Sequence, residues 1–217
     1  MLYSVELRSH IKTLCIHFLK PSDSIVGMLY SVELRSHFFI RTAKIEIYFI
    51  HPNSLCIFAG MKFIFRAIGK PHESFVKEGT DMFTKRIGNY FSCDWHIMPM
   101  PKNAGSMSEV ELKKKEGELI FQSLHKDDYL VLLDERGKQM SSEALATFIQ
   151  LRANESTKNV IFLIGGAYGV SEEVIQRANY KWSLSQLVFP HQLVRLILAE
   201  QVYRACTIIK NEKYHHQ

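Results

Sequence analysis

The side chains of this chain that are able to do chemistry gather in its second half, and they suit acid–base and anion-binding work. Asp134 closes the apolar run Tyr129-Leu130-Val131-Leu132-Leu133 and is followed by Glu135, Arg136 and Gly137. A carboxylate in that position can act as a catalytic acid, accept a hydrogen bond from a ribose, or close an Asx turn on its own backbone. Arg136 is open to three roles: a solvated loop charge, a phosphate contact, or the partner of Asp134. His191, after Phe189-Pro190 at the start of a long helical stretch, can be a base, a substrate contact or a structural hydrogen bonder. The same stretch carries Arg195, Glu200 and Arg204. The i,i+4 spacing of Glu200 and Arg204 predicts a structural ion pair, which leaves an arginine for phosphate. Cys15, Cys56, Cys93 and Cys206 form no C-x-x-C pair, which argues against a zinc ribbon or a thioredoxin-like redox motif.

Two further segments could hold a ligand. Ile164-Gly165-Gly166-Ala167-Tyr168-Gly169 is a glycine-rich loop after an apolar run. It lacks both G-x-G-x-x-G and G-x-x-x-x-G-K-[ST], which weakens nucleotide-phosphate binding and leaves open a ligand held through its adenosine part. In Trp182-Ser183-Leu184-Ser185-Gln186-Leu187-Val188-Phe189, the alternation predicts a strand running to Pro190. Ser183 and Ser185 read equally as plain strand hydroxyls or as parts of a loop whose backbone reads an adenine edge against Leu184 and Leu187. The terminal Tyr214-His215-His216-Gln217 reads as a frayed tail or a tag remnant.

The elements that must position these groups follow from periodicity. Residues 61–68 predict a strand, and 73–87 a helix with Phe75, Val76, Met82, Phe83 and Ile87 on its apolar face. A short strand is expected at 95–98. A charged helix follows from Ser108 to Phe121, its start marked by the capping-box pattern Ser108-Glu109-Val110-Glu111. Apolar strands at 129–133 and 160–164 are each followed by a helix, the first reaching Leu151, the second covering 171–178. The last helix runs over 191–209, with Pro190 suited to its first turn. Fully apolar strands alternating with helices imply a parallel sheet covered on both faces, an α/β fold with ligands beyond the carboxyl ends of the strands.

The chain has 217 residues, 47% of them apolar and 23% charged, which excludes collagen-like, coiled-coil and wholly disordered classes. A net charge of +5 favours an anionic partner such as nucleic acid. No run approaches the roughly 18 apolar residues of a membrane span. Glu6, Arg8 and His10 break any signal-peptide core, so a reducing, cytoplasmic setting is expected. MLYSVELRSH stands twice, at residues 1–10 and 28–37, identical in each letter. A perfect repeat that stops after two copies is unlike a solenoid, whose units drift and continue. Residues 1–60 show no consistent period and predict a poorly ordered extension ahead of a domain over 61–217.

Several of these segments carry a resemblance. KFIF…AIGK, YLVLLDERGKQMSSE, FLIGGAYGV and, above all, WSLSQLVFPHQLVRLILAEQVYRACTIIKNEKYHH resemble the ribosomal RNA large subunit methyltransferase H family, small members of the SPOUT, trefoil-knotted methyltransferases. The likeness covers residues 61–215. It implies a parallel α/β domain with a C-terminal trefoil knot, and a cytoplasmic homodimer that uses S-adenosylmethionine without a metal. The substrate implied is N3 of a pseudouridine in the helix 69 loop of 23S rRNA, within the assembled 70S ribosome.

Carried onto this chain, the resemblance assigns the cofactor to Leu132, Leu133, Asp134, Gly165, Gly166, Gly169, Ser183, Leu184, Ser185, Gln186, Leu187 and Phe189. It assigns the substrate and catalytic role to Tyr214 and His215, with His191 and Arg195 as further candidates. His216 departs from the Lys or Arg usual after the Tyr-His pair, and a largely neutral imidazole is a poorer phosphate contact. Two other readings stand beside this one: a non-catalytic ribosome-binding protein on the same fold, and the same fold acting on another nucleotide. Because the family begins at the position of Met61, residues 1–60 read first as a gene-model error or upstream read-through, and second as an added RNA-binding arm.

Overall fold

The computed structural model describes residues 3–5, 14–16 and 60–216. Its contacts divide the chain into two units, 1–51 and 52–217. In the first unit, β1 (Tyr3–Val5) and β2 (Leu14–Ile16) pair antiparallel, with Ser4 opposite Cys15. The remaining expectations for residues 1–60, including the second copy of the repeat, lie outside the described residues.

The second unit holds β3 (Lys62–Ile68), α1 (Ser74–Ile87), β4 (Ser92–Met98), α2 (Glu109–Ser123), β5 (Tyr129–Gln139), α3 (Ser142–Asn154), β6 (Asn159–Ile164), α4 (Glu172–Arg177), β7 (Tyr180–Ser183) and α5 (His191–Ile209). Five strands form one parallel sheet in the order β4-β3-β6-β5-β7. The central strands are apolar on both faces because both are covered: Val160, Ile161, Phe162 and Leu163 of β6 are all fully buried. On one face Phe63, Phe65 and Phe162 meet Ile87 of α1, Leu145 and Ile149 of α3, and Leu198 and Val202 of α5. On the other, Leu130, Leu132 and Leu163 meet Ile120 of α2 and Val174 of α4.

That division of helices follows from crossover handedness. The steps β3→β4 and β5→β6 move one way along the sheet, with α1 and α3 on one face. The steps β4→β5 and β6→β7 move the other way, with α2 and α4 on the opposite face. Reversing direction and face together keeps all four connections of one hand, as the strong preference for right-handed crossovers requires. Helix α5 does not fit this scheme. It follows β7, the outermost strand, yet contacts both α1 and α3, so residues 184–190 must lead the chain back over the carboxyl ends of the strands.

Local chemistry sets the helix starts. The Ser108 hydroxyl accepts from the Glu111 N–H at 3.2 Å, and the Ser141 hydroxyl accepts from the Ala144 N–H at 3.2 Å. Pro190 stands just before α5, where it caps the helix, instead of within its first turn, and its carbonyl accepts from Val194 N–H.

Three expectations need correction. The buried face of α1 is Val76, Thr80 and Ile87, while Phe75 is 61% and Met82 41% exposed, because the helix packs on a narrower stripe than its apolar content suggests. Strand β7 stops at Ser183. Beyond it the Ser183 hydroxyl donates to the Ser185 carbonyl at 2.8 Å and the Ser185 hydroxyl accepts from Leu187 N–H at 3.0 Å, so local side-chain bonds replace the ladder. Strand β5 does not end at Leu133. Both Leu133 and Lys138 pair with Trp182, so residues 134–137 leave the ladder as an outward excursion before the strand resumes.

Gly137 makes that return possible. A Cβ there would stand 2.7 Å from the Lys181 carbonyl carbon and oxygen, and 2.8 Å from that of Trp182. Gly137→Val is therefore expected to cost about 1–3 kcal/mol by forcing β5 and β7 apart. Chemical denaturation measures it, and an unchanged midpoint would show that the two strands tolerate separation.

Candidate functional site

Beyond the carboxyl ends of β5, β6 and β7 lies a cleft of about 550 Å³, within the usual size of small-molecule sites. Three segments converge on it: Leu132 to Arg136 from β5, Gly165 to Val170 after β6, and much of Trp182 to Phe189 after β7. His191 and Val194 of α5 close one side, and Glu109 and Lys113 of α2 contribute to another. Leu132, Leu133 and Leu184 supply apolar wall. Leu187 and Val188, 69% and 80% exposed, add apolar surface at the mouth.

The glycine loop offers backbone where other residues would offer side chains. Gly169 N–H donates to Gly166 carbonyl at 2.9 Å, closing the turn. A Cβ at Gly166 would lie 2.6 Å from Glu116 Oε1 and 2.7 Å from its Cδ, so a side chain there would require the Glu116 carboxyl to move. A flat heterocycle edged by backbone groups and covered by leucines is the kind of ligand these walls suit, and the adenosine of S-adenosylmethionine is one.

Most of the residues singled out from the sequence meet here. Leu132, Leu133, Asp134, Gly165, Gly166, Gly169, Leu184, Ser185, Leu187 and Phe189 line the cleft, as does His191. Ser183 and Gln186 do not; Ser183 is buried and shapes the turn through Ser185. Arg195 is not brought to the cleft either. It is 2% exposed, and one of its terminal nitrogens donates to the Lys70 carbonyl at 2.9 Å, pinning the turn between β3 and α1. Among the described residues its Nε has no hydrogen-bond partner.

Arg204 is committed too, pairing with Glu200 at 2.7 Å as the spacing predicted, so neither arginine of α5 stands free for phosphate. Tyr214 belongs to the same network. Its hydroxyl donates to Glu200 Oε1 at 3.2 Å, its ring meets Tyr203 edge-on, and the Arg204 guanidinium lies 4.8 Å above it. Burial and Glu200 together push the Tyr214 phenol up, which keeps it a donor. It is docked on α5 and is not among the residues lining the cleft of its own chain. The backbone of His215 continues in a short 3-10 turn, Lys213–His216; its side chain lies outside the described residues.

Asp134 is settled by its neighbour. Its Oδ1 accepts from Arg136 N–H at 2.8 Å and Arg136 Nε at 3.0 Å, while its Oδ2 accepts from a terminal Arg136 nitrogen at 2.9 Å. These bonds hold its carboxyl below the usual aspartate range, against the opposing pull of burial. Of the roles open to it, turn acceptor and partner of Arg136 are the two this geometry realises. A carboxylate so stabilised is a poor general acid.

Sequence reasoning missed the α2 face. Glu109 and Lys113, paired at 3.3 Å, stand one turn apart and both reach the cleft. Their spacing was visible; which strand ends the helix crosses was not.

Comparison with known proteins gives a consistent picture. The family model described as a predicted SPOUT methyltransferase matches residues 61–215. Among relatives, a protein of Cytophaga hutchinsonii is 48% identical over 156 residues, covering 72% of this chain and 100% of its own length. One of Christiangramia forsetii is 46% identical over 150 residues, 69% of this chain and 96% of its own, and one of Parabacteroides distasonis is 41% identical over 157 residues, 72% and 100%. All three bear the name ribosomal RNA large subunit methyltransferase H.

The Asp134–Arg136 pair yields a pH prediction. A depressed folded-state pKa means that its contribution is complete above the ordinary aspartate range and is lost as pH falls through the lowered value. In Arg136→Ala the Asp134 carboxyl is expected to titrate higher than in the parent, by carbon-detected NMR. Identical titration in both proteins would show that the pair does not persist in solution.

Proposed function

Since this chain belongs to the SPOUT methyltransferase family and is an S-adenosylmethionine-dependent methyltransferase, we propose that it methylates N3 of a pseudouridine in the helix 69 loop of 23S rRNA. The proposed substrate is the assembled 70S ribosome, and the proposed active form is a cytoplasmic homodimer. The relatives' shared name points to large-subunit ribosomal RNA. Among the described residues, no helix is long and apolar enough to cross a membrane. The single observation that carries the reading is the meeting of three separate loops in one cleft that combines glycine backbone with leucine walls.

In this proposal the Gly165–Gly169 turn and the 184–189 loop hold the cofactor's adenosine part through backbone groups, with Leu133, Leu184 and Leu187 over its faces. When bound, the cofactor supplies an electrophilic methyl group. The protein's part is to position, to exclude water and to manage one proton. N3 of the base is an imide nitrogen, and its proton must leave before or during attack. His191, which lines the cleft, is our candidate to accept it. Asp134, already ionised and matched by Arg136, keeps that rim polar without competing for the proton.

Tyr214 is proposed as a positioning residue. By anchoring on Glu200, it fixes the tail that carries His215. Because Tyr214 is not among the residues lining its own chain's cleft, a second copy is the proposed source of the tail that completes the substrate site. The exposed apolar Tyr168, Leu187 and Val188 beside the cleft are in keeping with such a neighbour.

Calorimetry of the full chain with S-adenosylmethionine, in the presence of chelator, is expected to show binding. Absence of both heat and thermal shift at saturating cofactor would remove the basis of the reading. Gly166→Val should weaken that binding by about 10- to 100-fold, through the displaced loop. Unchanged affinity in that variant would place the cofactor elsewhere. Nucleoside mass mapping of helix 69 in a deletion strain, with and without the restored gene, tests the substrate. Restoration of N3 methylation is expected, and a methyl group appearing at another nucleotide would overturn the assignment.

A further inference from the structure

The charges around the cleft are matched in pairs. Glu109 has Lys113 at 3.3 Å, and Asp134 has Arg136 at 2.9 Å. Glu135 stands exposed at the rim, where water and salt screen it. Glu116 is different. It lies on α2 three residues beyond Lys113, continuing the face that reaches the cleft, and is 2% exposed. Among the described residues, no charged group and no side-chain hydrogen bond acts on its carboxyl; burial alone does, and pushes its pKa up.

Its position is defined by what it touches. The carboxyl fills the space that a side chain at residue 166 would need, with Oε1 2.6 Å from where the Cβ would stand. Gly166 itself lines the cleft. The carboxyl thus lies against the backbone of a residue that lines the cleft, with no side chain of residue 166 between. Holding a carboxyl in a desolvated position is costly in a folded protein, and such a group is commonly kept for function.

The reaction consumes a cationic sulfonium and releases a neutral thioether, S-adenosylhomocysteine. The two share their adenosine and amino-acid parts, so contacts to those parts cannot tell them apart. A buried negative charge can, because charge interactions away from water are weakly screened. We propose that Glu116 is a specificity-determining residue: its carboxylate, seated behind Gly166, favours the sulfonium form of the cofactor over the neutral product. A cation in the cleft draws the proton from this carboxyl, so the charge is present when it is needed. The proposal rests on the cofactor reading above and assigns Glu116 no contact with RNA.

The test is a comparison of dissociation constants for S-adenosylmethionine and S-adenosylhomocysteine, by calorimetry on the full chain, in the parent, Glu116→Gln and Glu116→Asp. Gln keeps the size and removes the charge. It is expected to weaken S-adenosylmethionine binding by about tenfold while changing S-adenosylhomocysteine binding less than about twofold. Asp keeps the charge and is expected to keep most of the preference. Equal weakening of both ligands in Gln would mark a purely structural role and overturn the proposal, as would an unchanged ratio. Should the parent bind neither ligand, the cofactor reading fails first and this inference with it. Binding of both by the parent, with a ratio insensitive to Gln, fails this inference alone.

Discussion

The constraint on which this molecule depends is the return of its last helix. Strand β7 is the outermost of the sheet, but α5 packs on the face shared by α1 and α3. No ordinary crossover accomplishes that move, since residues 184–190 connect a strand end directly to a helix on the far side of α3. The segment must pass over the carboxyl ends of the strands, and there it meets the 134–137 excursion and the 165–170 turn. The trefoil knot of the SPOUT family is this return seen as topology. The cleft is its consequence, since a chain that crosses two loops closely leaves a walled space between them.

Close backbone approach is what the crossing requires chemically. At Gly137 the excursion rejoins β5 against the backbone of Lys181 and Trp182, and at Gly166 the turn lies on a buried carboxyl. A methyl group at Gly137 would meet backbone, and one at Gly166 would meet the end of the Glu116 side chain. The hydroxyls of Ser183 and Ser185 complete the arrangement by holding the returning segment in a turn. The glycines and serines that looked like ligand-binding residues thus divide the work. Some shape the walls, and others offer them to a ligand.

Electrostatics follows the same division. The arginines of α5 are spent inside the protein, Arg195 on the β3–α1 turn and Arg204 on Glu200 and the tail tyrosine. Tyr214 shows why residue type alone misleads. A phenol near the end of a chain suggests contact with substrate, whereas its neighbours, Glu200, Tyr203 and Arg204, make it an anchor for the residues beside it.

Much of this was legible from residue patterns because it depends on near neighbours in the chain. Apolar runs of β-forming residues named β3, β5 and β6, a 3.6-residue period named α5 to its last residue, and Ser108 marked the start of α2. The i,i+4 spacing of Glu200 and Arg204 foretold their pair. Motifs spread over residues 61–215 identified the family, and with it ten of the twelve proposed cofactor residues that the structure brings to the cleft. Tertiary structure alone decided which of two faces each residue met. It buried Arg195, kept Ser183 and Gln186 off the cleft, exposed Phe75, and set Glu116 behind Gly166. The reason is physical: spacing along a helix or strand fixes direction relative to its own axis, but the surroundings found there depend on strand order and on where distant segments cross, which no local period encodes.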